Sequence, residues 1–352
     1  VGFLKTVIIK LQDMQELTDL KNNIEDLGGE TEYISPVLPI ISVSYKVSID
    51  VEIKKRYNVS YIIPAPEDGL LLDGTLLGNG SLRIFPNIDE HKLRAKSLTG
   101  WGATVVIIDS GISIDGVTEH SDFTGYGSAP VIDHGDKVAS VFKKFARGAK
   151  LISCKATHTH KVKLFDVLRA IDFAISKNVN IINLSLGFDI PSCSSGQCPI
   201  CDVVEYYSLN KNVLFIAAAG NKGVEGSVQC PGNCQEVVTV SAINSLGTTV
   251  ADYCSKGAPG AKKPNIITTG EVIYNGIRDS GTSFAAPVVT GVSATLITQL
   301  NYNNASLKSL LFSTAIDMGL PEHYQGFGKL NLDGILEALY HDQDSTESQG
   351  QE

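Results

Sequence analysis

Apolar residues recur along this chain in two rhythms, and the change comes near residue 104. In the first 65 residues, Thr6 to Leu11 is a short apolar run suited to a strand. Leu17, Leu20, Ile24 and Leu27 then repeat at helical spacing, with Asp13 and Glu16 placed to form a capping box and Gly28-Gly29 to end the helix. Glu32 to Ile34 supplies a second strand. Ile41, Val43, Tyr45 and Val47 alternate with Ser42, Ser44 and Lys46, the pattern of a half-buried strand. A charged helix over Asp50 to Tyr57 and a last strand over Val59 to Ile63, before Pro64, complete the order β-α-β-β-α-β. That order predicts a small ferredoxin-like α+β unit.

Residues 66–100 are rich in turn signals, Asp73-Gly74 and Gly78-Asn79-Gly80 among them, and hold no long periodic stretch. From Thr104 onward, strands over Val105 to Ile108, Lys150 to Cys154, Ile181 to Leu186, Val213 to Ala218 and Glu236 to Val240 alternate with helices. The helices are expected near 136–146, 163–177, 201–211, 283–300, 305–314 and 332–340. Such alternation predicts a doubly wound parallel α/β sheet with helices on both faces. The expected units are therefore 1–65, a linker at 66–84, a large α/β domain at 85–340, and a loose, polar and acidic tail at 341–352.

With 352 residues, 43% of them hydrophobic, the chain can bury one sizeable core and a second small one. A net charge of −9 disfavours nucleic acid and anionic membranes as partners. No apolar run approaches the roughly 20 residues that a membrane-spanning helix needs. The opening Val1 to Leu11 has neither the basic start nor the small-residue cleavage site of a signal peptide. Seven cysteines cannot all pair with one another. Cys198-Pro-Ile-Cys201 and Cys230-Pro-Gly-Asn-Cys234 have spacings that suit a structural zinc, one or two disulfides, or buried thiols. Short cysteine spacings are more often not metal sites, so no metal or cofactor is expected.

Candidate chemistry lies where the strands end. Asp109 closes the buried run Val105-Val-Ile-Ile-Asp109, at the edge where open parallel sheets bind ligands. His134-Gly stands before a helical stretch, and Ser283 lies in Ser280-Gly-Thr-Ser-Phe-Ala-Ala-Pro287, a glycine turn opening into a small-residue helix. Helix N-termini offer unpaired N–H groups to an oxyanion. Each residue taken alone has a bland reading as a turn or cap residue. The combination carries the weight.

From about residue 85 to 340 the chain resembles the subtilisin family. Val106-Ile-Ile-Asp109-Ser-Gly is similar to its aspartate motif, His134-Gly with Val138-Ala to its histidine motif, and Gly281-Thr-Ser283-Phe-Ala-Ala-Pro287 to its nucleophile motif. Asn183-Leu-Ser-Leu-Gly187 and Ala217-Ala-Ala-Gly-Asn221 resemble its substrate-binding strand and oxyanion asparagine. The resemblance implies a serine endopeptidase with Asp109, His134 and Ser283 as triad and Asn221 with the Ser283 N–H as oxyanion hole. Ser185, Leu186, Gly187, Ala218, Ala219 and Gly220 would line the substrate cleft. Val228-Gln-Cys-Pro-Gly232 resembles the base of the P1 pocket, with Gln229 where the family has a small residue. His120, in Glu119-His-Ser-Asp-Phe, lacks the following glycine and helix and is set aside.

Residues 5–64 resemble the family's inhibitory pro-segment, which implies a zymogen that cuts itself between Ala65 and Gly80, with Leu70 to Leu72 and Leu76-Leu77 as apolar subsites. Its partners would be protein or peptide substrates and its own pro-segment; the family also implies secretion. The chain departs from the family in three places. Asp136 and Lys137 stand where a Thr and a second His are usual, two charges that can move the His134 pKa in opposite directions. No Asn- or Asp-rich insertion interrupts Val138 to Lys150, so no calcium is expected there. Thr157-His-Thr-His160-Lys is shorter than the family's edge strand, and its two histidines are expected to be surface residues. The alternative is a pseudoprotease that uses the scaffold for binding or signalling; a peptide-maturing transpeptidase would share the same residues.

Overall fold

The structure is a computed structural model describing residues 4–46, 49–66, 69–71, 82–195, 197–297 and 303–348. The first rhythm folds as β1 (Leu4–Leu11), α1 (Glu16–Asp26), β2 (Glu30–Ile34), β3 (Ile40–Lys46), α2 (Asp50–Arg56) and β4 (Val59–Pro64). The sheet order is β2-β3-β1-β4 with all neighbours antiparallel, the ferredoxin-like arrangement. Val7, Ile9 and Leu11 of β1 face Leu17, Leu20 and Ile24 of α1, whereas Ile8 points to the opposite face with Tyr33, Ile40, Tyr61 and Ile63. The second face packs against the large domain through Ile8, with Lys10 on the same side bonding Asp202.

The capping box does not form. Helix α1 starts at Glu16 itself, one residue after the N-cap Gln15, so Glu16 cannot occupy the third helical position. Its carboxylate instead accepts the Asn58 N–H (3.1 Å), while Asp13 Oδ1 accepts the Gln15 N–H (2.8 Å). The C-terminus ends as expected, with Gly28 at φ +79° and its N–H bonded to Glu25 O.

Two short strands follow, β5 (Gly69–Leu71) and β6 (Leu82–Phe85), then helix α3 (His91–Ala95). Residues 67–68 and 72–81, with both turn signals and the Leu76-Leu77 subsite, lie outside the described residues. Part of the expected linker is peptidase sheet, because β6 pairs with a later hairpin strand, Leu82 opposite Tyr274.

The second rhythm builds β7 (Thr104–Asp109), β8 (Val117–Asp122), α4 (His134–Phe145), β9 (Lys150–Lys155), β10 (Lys161–Val162), α5 (Leu164–Ser176), β11 (Ile181–Leu184), β12 (Leu186–Gly187) and α6 (Pro199–Lys211). It continues with β13 (Leu214–Ala218), β14 (Val238–Ile243), β15 (Ile266–Thr269), the hairpin β16 (Glu271–Tyr274) and β17 (Ile277–Ser280), then α7 (Thr282–Leu296), α8 (Asn304–Ser313), α9 (Glu322–Gln325) and α10 (Leu332–Ser348). Seven strands form one parallel sheet in the order β15-β14-β13-β11-β7-β9-β8. Val105 and Ile107 face α4 and α7, while Val106 and Ile108 face α5 and α6.

Helix α4 runs without interruption, so no loop enters it. Helix α10 continues to Ser348, through much of the stretch expected to be a loose tail. Leu332 and Ile335 anchor its first turns in the core, and adding polar residues to an existing helix needs no new nucleus.

Candidate active site

The carboxyl ends of β7, β11 and β13 lie side by side, and Asp109, Ser185 and Ala218 stand at or just beyond them. Asp109 ends β7, and its Oδ1 lies 2.7 Å from His134 Nδ1 at the first turn of α4. Ser110 braces this pair. Its N–H donates to the same Oδ1 (2.7 Å), and its Oγ accepts the Gly135 N–H (3.0 Å). A Cβ on Gly135 would lie 2.1 Å from the Gly111 carbonyl oxygen, so close approach of helix to loop requires the glycine after the histidine.

Ser283 is the second residue of α7, behind Gly281. Its Oγ donates to the Ser185 carbonyl (2.9 Å), and Ser185 Oγ donates back to the Ser283 carbonyl (2.8 Å). Asn183 Nδ2 donates to Ser185 Oγ (2.9 Å) and Thr290 Oγ1 to Asn183 Oδ1 (2.8 Å), tying the end of β11 to α7. Asn221 Oδ1 accepts both the N–H (3.1 Å) and the Oγ1–H (3.0 Å) of Thr282, which leaves Nδ2 as the donor end of the amide. Thr282 Oγ1 in turn accepts the Gly220 N–H (3.1 Å). Thr282 thereby joins Asn221 to the Gly220 turn, and its only signal in the sequence is its place beside Ser283. Asp109, His134 and Ser283 are each 0% exposed.

Ser185 leads into β12, which holds Leu186 and Gly187. Strand β5 lies between β12 and β10, antiparallel to both: Leu71 faces Leu186, and Leu70 faces Gly187 on one side and Lys161 on the other. Ala218 ends β13, and the Ala219 carbonyl accepts the Gln229 N–H (3.0 Å). Gln229 is buried between two glycines: a Cβ on Gly187 would meet Gln229 Cβ at 2.9 Å, and one on Gly220 would meet Gln229 Oε1 at 2.8 Å. Its Nε2 reaches Asp189 Oδ1 at 3.4 Å, and among the described residues Oε1 is buried with no hydrogen-bond partner.

The two unusual charges after His134 are engaged elsewhere. Asp136 accepts from the N–H (2.5 Å) and Oγ (2.6 Å) of Ser113. Lys137 is fully buried and bonds Asp279 Oδ2 (2.8 Å), with Asp133 Oδ1 at 3.1 Å. Burial pulls its pKa down, but the two carboxylates outweigh this and hold it above the ordinary lysine value. His120 is exposed on the edge strand β8, and His158 stacks on Tyr126 with centroids 3.8 Å apart.

The fold is that of a family. Residues 100–328 match the subtilase family, and the chain belongs to it. It is 28% identical to a subtilisin of Bacillus pumilus over 277 residues, covering 70% of this chain and 94% of that protein. It is also 28% identical to the human membrane-bound transcription factor site-1 protease over 289 residues, 71% of this chain but 27% of that one. The prenylagaramide maturation protease PagA has the same fold, with a TM-score of 0.59 at 24% identity over 72% of this chain and 99% of that one. The protein is a subtilisin-like serine endopeptidase.

Proposed function

We propose that the protein is a self-processing zymogen that cuts peptide bonds through an acyl-enzyme on Ser283, with His134 as general base and Asp109 as its orienting partner. Asp109, held by Ser110, fixes the imidazole with its proton on Nδ1 and stabilises the imidazolium as Nε2 takes the Ser283 proton. A hydroxyl has one proton, and that of Ser283 is donated to Ser185, so attack requires a turn about χ1 away from this resting position. The tetrahedral oxyanion is received by Asn221 Nδ2 and the Ser283 N–H. His134 then protonates the leaving amine, and water resolves the ester by the same route.

Residues 1–65 act as the inhibitor. The observation that carries this is β5, the chain's own segment lying as the middle strand of the cleft in the place a substrate would take. The β2-β3-β1-β4 sheet behind it is docked by Tyr61 OH on Asp202 (2.7 Å), Lys10 Nζ on Asp202 (2.8 Å) and Tyr33 OH on Asp172 (2.9 Å). Leu71, the last described residue of β5, pairs with Leu186, the neighbour of the residue whose carbonyl touches Ser283. The bond expected to be cut lies between Ala65 and Gly80, beyond β5. Tethering makes the attack intramolecular, so a mediocre subsite fit suffices.

Wild-type protein should run as two fragments on a denaturing gel yet elute as one species by size exclusion, while Ser283→Ala stays a single chain. Cleavage at the same bond in Ser283→Ala, with contaminating proteases excluded, would overturn the proposal. The pseudoprotease alternative rested on Asp136 and Lys137, whose charges are taken up by Ser113 and Asp279.

A further inference from the structure

Five of the cysteines meet at one place behind the P1 pocket. Cys193 follows β12, Cys198 and Cys201 open α6, and Cys230 and Cys234 flank the turn after Gln229. The Sγ atoms of Cys193, Cys198, Cys201 and Cys230 all lie within 4.8 Å of one another. We propose that in the reduced protein these four thiolates hold one zinc ion as a closed structural site.

The spacing is the first argument. A tetrahedral zinc with Zn–S bonds of about 2.3 Å has sulfur–sulfur edges of about 3.8 Å. Cys193 and Cys201 are 3.8 Å apart, and Cys198 and Cys230 are 3.5 Å apart. A disulfide needs about 2.05 Å, so neither of these pairs is bonded. The second argument is the surroundings. Cys198, Cys201 and Cys230 are buried and Cys193 half-buried, as a structural rather than a catalytic site requires. Cys198 is the N-cap residue of α6 and Cys201 lies in its first turn, so both are held by one rigid element. Cys193 and Cys230 also line an open cavity beside Val228 and Asn233, which gives the ion a way in.

In this structure Cys201 is joined to Cys234, an arrangement exclusive with metal binding. Loading therefore starts from reduction: a dithiol reductant gives two hydrogens to Cys201 and Cys234 and leaves as its own cyclic disulfide. Zinc then displaces the protons of the four ligand thiols into solvent.

The ion would staple three walls together. The Phe188 and Cys230 backbones already exchange hydrogen bonds (Phe188 N to Cys230 O, 2.8 Å, and Cys230 N to Phe188 O, 3.0 Å). Zinc would add α6, whose Asp202 receives Tyr61 and Lys10. The site is independent of which residues carry catalysis.

The test uses the full chain in the Ser283→Ala background, reduced with a dithiol, loaded with zinc and desalted. Elemental analysis should find one zinc per chain, and cobalt loading should give thiolate-to-cobalt charge transfer with the strong visible bands of a tetrahedral site. Cys193→Ser, at the half-buried ligand and outside the present disulfide, should weaken zinc binding by more than about 100-fold, beyond what outer-shell changes bring. Cys234→Ser should retain the full complement. Absence of zinc from the reduced protein, or equal affinity in Cys193→Ser, would refute the site; so would loss of zinc in Cys234→Ser with Cys193→Ser unaffected.

Discussion

Gln229 is the single side chain expected to set what the enzyme accepts at P1. It fills the space between Gly187 and Gly220, and its Oε1 is buried with no partner among the described residues. A large aromatic P1 side chain must displace this amide or leave it unsatisfied, each costing about 1–3 kcal/mol. Peptide-library profiling should show small or hydrogen-bond-donating P1 residues preferred over Phe and Tyr. Gln229→Gly should raise kcat/KM for aromatic P1 by at least about tenfold. A strong Phe or Tyr preference that the substitution leaves unchanged would remove Gln229 from the pocket. At this scale the sequence carried what is local. Asp109, His134 and Ser283 each sit in a short motif that names itself. The grip of Thr282 on Asn221 and the contact of Gln229 with Asp189 join residues 61 and 40 positions apart, and no local pattern encodes them.

Elements meet through the Lys137–Asp279 pair, which ties the histidine helix α4 to β17, just ahead of the serine. Its side chains are 0% and 1% exposed. Removing one partner of such a pair strands the other charge, at a cost of about 3–5 kcal/mol, whereas replacing both with apolar groups can be near neutral. In uncut Ser283→Ala protein, Lys137→Met should lower the free energy of urea unfolding by about that amount, and adding Asp279→Leu should restore much of it. A loss below ~1 kcal/mol for the single change would mean the pair does not hold the elements together. The buried strands were legible for the same reason they are buried: β7, β11 and β13 are apolar on both faces and read as continuous runs. Strand β8, Val-Thr-Glu-His-Ser-Asp, was missed because an exposed edge strand need not be apolar. Strand β5 was missed because it is a strand only by virtue of its two partners.

Across the whole molecule, the small sheet buries one face on its own helices and the other on the peptidase, with Tyr33 stacked on Phe165 and Arg169 donating to the Glu32 carbonyl (3.1 Å). The order of the two units along the chain was legible, as were the two short cysteine spacings of the cluster; Cys193 was not, because it joins the others only through folding. Strand β5 lies between β12 and β10 and Ser283 is fully buried, so reactivity should emerge only once the first unit is removed together with β5. The most direct measurement is therefore labelling with a fluorophosphonate probe after processing and proteolytic removal of that unit, with mass mapping of the adduct. The account predicts one adduct, on Ser283, absent from Ser283→Ala and abolished by His134→Ala. An unreactive Ser283 in the freed peptidase, or an adduct on another residue, would contradict it.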